Sequence, residues 1–331
     1  MLNLSPVERR LLNEYQRDFP LVPRPFAAIG SQLQISETRV MTLLSQLREK
    51  GAISRIGPVF SPGAIGSSLL AALAVPVERL DAVADWISGF PEINHNYQRE
   101  HDFNLWFVVA APHEMRLQEL LDTIRSETGC ALLALPLIEQ FHIDLGFDLF
   151  ATSPDKSKTT RGGAIHRVVL DDWQRALVAS LQGGLAIVAQ PYAALCEEPA
   201  QHGSAESRAL EQIATWVDAG VIRRFGVVVR HHELGYRDNA MVVWDVADAQ
   251  VAAFGAQAAR HPAVTLCYRR PRQGTAWPYN LFCMVHGKDR ETVRAAIADI
   301  GERSGLAEFP SQVLFSVRRF KQCGARYVAN G

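Results

Sequence analysis

An α+β fold written twice in tandem is predicted, each copy a winged helix-turn-helix segment followed by a ferredoxin-like βαββαβ sandwich. Three observations predict it. First, LREKGAISRIG in the first half of the 331-residue chain is matched by WVDAGVIRRFG in the second. Gly51, Ile53, Arg55, Gly57 and Gly66 pair with Gly220, Ile222, Arg224, Gly226 and Gly235 at a constant offset. Second, Pro91 and Tyr97 match Pro262 and Tyr268, and Asn104, Leu105 and Gly129 match Asn280, Leu281 and Gly305. The offset grows because the second copy holds an insertion within RQGTAWP. Third, the hydrophobic period changes inside each copy from the 3.6 of helices to the alternation of strands.

The elements follow in order. Ser5 with Glu8 forms a capping-box signature that opens a helix over 5–17. A short helix over 26–33 precedes a third over 36–50, whose Val40, Leu43, Leu44 and Leu47 have helical spacing and which stops at Gly51. Three helices and then a strand with Ile53 and Ile56 give the winged-helix order. The second copy repeats it with helices at 171–181, 191–197 and 204–219. The rest of each copy reads β-α-β-β-α-β, ending in LLALPLIEQFHI in the first and SQVLFSVRRF in the second. The expected boundaries are 1–60 for the first winged helix and 61–150 for its sandwich. A linker over 151–163, rich in Ser, Thr, Gly and Lys, follows, then 164–227 and 228–331 for the second pair.

Bulk properties narrow the function. No apolar run is long enough to span a bilayer and no secretory signal is read at the start, which points to the cytoplasm. The five cysteines form no CxxC pair, which suggests reduced thiols rather than disulfides or zinc. Net charge is −1, against the basic excess of a dedicated DNA binder. The second copy's groove-reading helix carries Glu206, Glu211 and Asp218 against Arg208 alone, so no nucleic-acid partner is expected. No Walker loop, GxGxxG, HExxH or GxSxG is present.

Two motifs concentrate chemistry. In HNYQREH, His95, Tyr97, Arg99 and His101 alternate with polar neighbours and so share one face of a strand. That is an expensive polar face unless it meets a ligand. As a metal site it lacks a third ligand beyond His95 and His101. In the second copy, Tyr268, Arg269 and Arg270 occupy the equivalent place, followed by Trp277, Tyr279 and Asn280. Arg230, His231 and His232 stand where the first copy has Ser61, Pro62 and Gly63, so any site there is asymmetric.

A winged helix joined to a βαββαβ sandwich resembles the Lrp/AsnC family. The stretches RRFGVVVRHHELGYRDNAMVVWDV and CYRRP with WPYNLFCMVHG, together with RIGPVFSPGAIG and INHNYQREHDFNLWFVV, are similar to the two subunit types of the siroheme decarboxylases, here in one fused chain. The resemblance implies removal of the acetate carboxylates on rings C and D of siroheme, giving didecarboxysiroheme in haem d1 or alternative haem biosynthesis. No dedicated cofactor is implied; the iron-containing siroheme is the substrate. The two halves should then pack as an internal heterodimer with facing sheets, with a further homodimer as an option.

A carboxylate-ringed tetrapyrrole needs arginine at its rim and a proton source near neutral pH. His95, His101 and His231 are the expected catalytic groups, with His95 or His231 as an axial ligand to the substrate iron. Tyr97, Arg99, Asn104, Trp106, Arg230, Tyr268, Arg269, Arg270, Trp277, Tyr279, Asn280 and His286 are the expected substrate contacts. The rival reading is a regulator of the Lrp type that senses a tetrapyrrole or amino acid.

Overall fold

The computed structural model describes residues 4–143, 167–195, 202–230 and 238–328. The expected linker over 151–163 and His231 with His232 lie outside the described residues.

Each copy begins with helices. In the first, α1 (Pro6–Glu14), α2 (Pro25–Leu33) and α3 (Glu37–Glu49) pack together. The Ser5 hydroxyl accepts from the Glu8 amide, and the Glu8 carboxylate accepts from the Ser5 amide at 2.8 Å, the capping box anticipated from the sequence. A strand, β1 (Ile53–Phe60), follows. The second copy supplies α6 (Asp172–Gln182), a single 3-10 turn at Ala193–Leu195 where a helix over 191–197 was expected, α7 (His202–Asp218) and β7 (Ile222–Val229).

The two helical segments do not stand apart. Strands β1 and β7 pair antiparallel with each other, so the strand after each third helix completes a ribbon with the other copy. Leu11, Phe26, Leu44 and Leu47 share one core with Leu181, Ile213, Trp216 and Phe225. Burying a side chain of this size stabilises by about 1.5–3 kcal/mol, which makes the merged core a large term. Gly226 lies where the ribbon crosses the chain after α1. A Cβ there would sit 2.3 Å from the Tyr15 carbonyl oxygen, so only glycine fits.

The sandwich of the first copy contains β2 (Ser67–Leu73), α4 (Leu80–Ser88), β3 (Ile93–Arg99), β4 (Leu105–Ala111), α5 (Glu114–Thr128), β5 (Leu132–Pro136) and β6 (Glu139–Ile143). The second contains β8 (Asp238–Trp244), α8 (Val251–Ala258), β9 (Val264–Arg269), β10 (Leu281–Gly287), α9 (Arg290–Ser304) and β11 (Ser311–Gln322). Their strands form one nine-stranded sheet in the order β5-β2-β4-β3-β11-β8-β10-β9-β6.

The halves exchange their last strands. The first part of β11, Ser311–Phe315, pairs with β8 of its own half, and the remainder pairs with β3 of the other. Likewise β5 pairs with β2, and β6 crosses to β9. The single strand expected for LLALPLIEQFHI is therefore two, split after Pro136, whose missing N–H and fixed φ suit a strand end. The outer faces bury α4 and α5 on one half and α8 and α9 on the other. The inner faces meet in a third apolar cluster built from both halves, including Ala72, Trp106, Leu135, Met241, Val243, Trp277, Phe282 and Leu314.

Because neither sheet is complete alone, residues 1–155 and 160–331 expressed separately are each expected to lack a cooperative unfolding transition and to regain it on mixing. A sharp, wild-type-like denaturant transition for either piece alone would contradict the exchange.

Candidate active site

The alternation in β3 sorts its side chains by face. Asn96 points to the helical side, where its amide donates to the Ala84 carbonyl at 3.0 Å and the Ser88 hydroxyl at 3.1 Å. His95, Tyr97 and Arg99 therefore face inward between the sheets. The His95 and Tyr97 rings stack at 6.2 Å, and the Arg99 guanidinium lies 5.8 Å from the Tyr97 ring centre. Arg99 crosses to the second half: it donates to the Leu314 carbonyl at 3.1 Å and lies 3.8 Å from the Met284 sulfur.

Strand β9 presents the same arrangement. Arg270 lies 5.2 Å from the Tyr268 ring centre and donates to the Leu135 carbonyl of the first half at 2.5 Å. The two arginines thus make pseudo-symmetric cross-braces. Two further arginines, not singled out as site residues from the sequence, join these rows from the β1–β7 ribbon. Arg55 faces His95, and Arg223 faces Tyr268 while donating to Gln140 at 2.6 Å. Their signal was faint: Arg55 read as a repeat marker and Arg223 as its neighbour's.

The rows differ in their imidazoles. His286, at the end of β10, faces Arg99 and lies 3.1 Å from the Thr265 hydroxyl through its Nδ1. Its counterpart in the first copy, at the offset of Asn104 and Asn280, is Ala110. The counterpart of His95 is Leu266, at the offset of Tyr97 and Tyr268. The β3 row therefore runs Arg55, His95, Tyr97 and Arg99, with His286 of β10 beside Arg99, and the β9 row has Leu266 and Ala110 at the two repeat positions that carry these imidazoles.

Electrostatics follow from enclosure. Burial, and then the field of Arg55, pushes His95 down to about 4. Burial and Arg99 do the same to His286, also to about 4. Both rings are neutral near pH 7. Arg99 and Arg270 are pushed down to about 10 by burial, and burial also lowers Arg55 and Arg223. Among the described residues no carboxylate pairs with any of these four guanidinia. The Nε atoms of Arg55, Arg223 and Arg270 are enclosed without a hydrogen-bond partner. An enclosed cation costs several kcal/mol unless an anion compensates it, so this interior is built for a polyanion.

Other expected residues have different positions. Asn104 closes on Val75 from both ends of its amide, at 3.0 and 2.8 Å, and Asn280 does the same on Val246. Both are braces between strand ends, and Asn280 also donates to the Asp248 carboxylate at 3.2 Å. Arg269 points outward to Asp248 at 3.1 Å, away from Arg270, as strand alternation requires. Trp106 donates to the Phe103 carbonyl and packs at 5.1 Å against Trp277, which the second-copy insertion drives into the inter-sheet core. Tyr279 packs 5.1 Å from Trp277, and Phe282 stands between that cluster and Arg270. His101 lies in the turn after β3, where its Nδ1 accepts from the Phe103 amide at 3.0 Å and its ring abuts Trp277 at 5.4 Å. It does not join the His95 row. The Arg230 amide ends β7 on the Ala52 carbonyl at 2.8 Å. Among the described residues, no three His, Cys, Asp or Glu side chains converge as a metal site requires.

The sign of the pH response follows from these rings. Between pH 6.5 and about 4 the unfolded chain holds more protons than the folded one, so the unliganded protein loses stability as pH falls through that window. Replacing His95 or His286 by Gln is expected to flatten that loss in urea unfolding at pH 7.5 and pH 5. Slopes unchanged from wild type in both variants would show that neither ring is held neutral.

Comparisons with known proteins identify the family. A model for the AsnC-like ligand binding domain matches residues 64–142 and 233–321, and one for the siroheme decarboxylase NirDL-like HTH domain matches residues 8–53. The siroheme decarboxylase NirDL subunit of Paracoccus denitrificans is 40% identical over 98% of this chain and 98% of its own. A siroheme decarboxylase of Hydrogenobacter thermophilus is 30% identical, over 96% of this chain and 94% of its own. The crystal structure of siroheme decarboxylase NirDL in complex with an iron-uroporphyrin III analogue superposes with a TM-score of 0.70 at 25% identity, covering 97% of this chain and 93% of that one. With two AsnC-like sandwiches, a matched helical segment and full-length relatives of one kind, the chain belongs to the siroheme decarboxylases of the fused, NirDL type.

Proposed function

We propose that the β3 row is where the chain decarboxylates siroheme, converting the acetates on rings C and D to methyls and giving didecarboxysiroheme for haem d1 or alternative haem biosynthesis. One observation carries this reading: enclosed cations without counter-anions lie in one row with two neutral imidazoles. Arg55 and Arg99 suit carboxylates at the rim of a tetrapyrrole, and the Tyr97 and His95 rings offer flat contact.

Each event breaks the bond between the acetate methylene and its carboxylate. The electron pair passes into the ring system, CO2 leaves, and one proton is taken up to complete the methyl. The substrate's own ring is the electron sink, and no further cofactor is invoked. Phe282, Met284 and Leu314 give apolar surroundings in which a carboxylate is poorly solvated and neutral CO2 is favoured. An imidazole at about 4 is a poor acid at pH 7, so the substrate must change it. Carboxylates placed against Arg55 and Arg99 offset the field that depresses both rings, which raises their proton affinity when substrate is bound. His95 has its Nδ1 beside the Asn94 amide oxygen at 3.1 Å, which leaves Nε2 as the nitrogen that carries the transferable proton.

The rival reading, a DNA-binding regulator, is disfavoured by the helical segments. Arg208, the cation of α7 that opposes its carboxylates, is stacked 3.9 Å over Trp173 rather than offered to phosphate. We place the enzyme in the cytoplasm, acting on siroheme and not on nucleic acid; no helix among the described residues is long and apolar enough to cross a membrane.

Replacing His95 or His286 by Gln is expected to cut the single-turnover rate about 10²–10⁴-fold while affinity for iron-uroporphyrin III stays within a few-fold. Replacing Arg99 by Gln should weaken that affinity about 10- to 150-fold, the equivalent of roughly 1.5–3 kcal/mol for one charge-assisted pair. Wild-type rates in both histidine variants would end the histidine mechanism and turn attention to Tyr97. A DNA footprint of nanomolar affinity at physiological salt would restore the regulator.

A further inference from the structure

The geometry points to a second ligand site. We propose that the β9 row of Arg223, Tyr268 and Arg270 binds a carboxylate-rimmed tetrapyrrole, substrate or product, and holds it without decarboxylating it. This rests on the reading of the β3 row as the reacting site.

The tyrosine–arginine pair of the β3 row recurs in the β9 row, and the imidazoles at two other repeat positions do not. Tyr268 and Arg270 repeat Tyr97 and Arg99 down to the brace onto a backbone carbonyl of the other half. Arg223, which stands next to Arg224, the repeat counterpart of Arg55, adds a second buried guanidinium beside Tyr268. Both Arg223 and Arg270 enclose an Nε without a partner, and neither meets a carboxylate among the described residues. Gln140 adds an amide beside Arg223 at 2.6 Å. Where the β3 row has His95 and His286, this row has Leu266 and Ala110. The turn at Ser61–Gly66, at the repeat position of the His231 segment, has no titratable side chain. The remaining groups attract carboxylates, and neither Leu266 nor Ala110 can supply the proton that a departing CO2 requires.

The sheet order sets the two tyrosine–arginine pairs on strands that are not neighbours. Strands β3 and β9 are separated by β11, β8 and β10, whose inward residues Leu314, Met241, Val243 and Phe282 are buried and apolar. The ligand class follows from the shared tyrosine–arginine pair, and a decarboxylated product keeps its propionates, so it fits as well as the substrate does.

The test is an anaerobic absorbance titration of the full chain with iron-uroporphyrin III, run beside a mass assay of product formed from siroheme. Wild type is expected to bind two per chain, and Arg223→Gln and Arg270→Gln one. Leu266→Glu, which sets a carboxylate among these guanidinia without removing a brace, should also reduce the count to one. A wild-type count of one, with decarboxylation proceeding, overturns the second site and leaves the first intact. So does a count of two in all three variants. If wild type forms no product from siroheme, the reading of the β3 row fails instead, whatever the stoichiometry.

Discussion

Two guanidinia that cross between halves hold the molecule's logic together. Arg99 reaches the Leu314 carbonyl in β11 and Arg270 the Leu135 carbonyl in β5, each a backbone group of the other half. A neutral acceptor satisfies a hydrogen bond but leaves the charge uncompensated, so the brace fixes each guanidinium in place and keeps its field available. Burial, and then that field, holds His286 neutral, and burial followed by Arg55 does the same to His95. Folding thus prepares an interior that, among the described residues, is short of anions. The cost of enclosing these cations is met by the shared helical core, the inter-sheet cluster and the exchanged strands.

Much of this was legible in the sequence because a duplication shows what the fold needs. The glycine spacing located the ribbon between helices and sandwich, and the alternation in INHNYQR placed His95, Tyr97 and Arg99 on one face. The same duplication also misled. Asn104 and Asn280 recur because both copies must tie one strand end to another, and recurrence within an unusual motif looked like chemistry. Arg269 sat beside Arg270 in the sequence, yet neighbouring strand residues face opposite ways.

What stayed hidden was long-range. No local pattern says that LLALPLIEQFHI divides at Pro136, or that its second part joins the other half. The acceptors of Arg99 and Arg270 are carbonyls, which carry no residue identity to read. Arg55 and Arg223 come from the ribbon, distant in sequence from either row. The informative contrast lies in what the copies do not share: His95 against Leu266, and His286 against Ala110.

The exchange of β11 also sets an order of events during synthesis. Arg99 and Leu314 are 215 positions apart, and β3 gains its outer neighbour only from the strand that ends the second half. A nascent or truncated chain that stops before Ser311 has the imidazole and tyrosine of the first row but neither the brace nor the wall that aligns them. Assembly of the first row is thereby tied to completion of the polypeptide, because its brace and one of its flanking strands come from the last strand made.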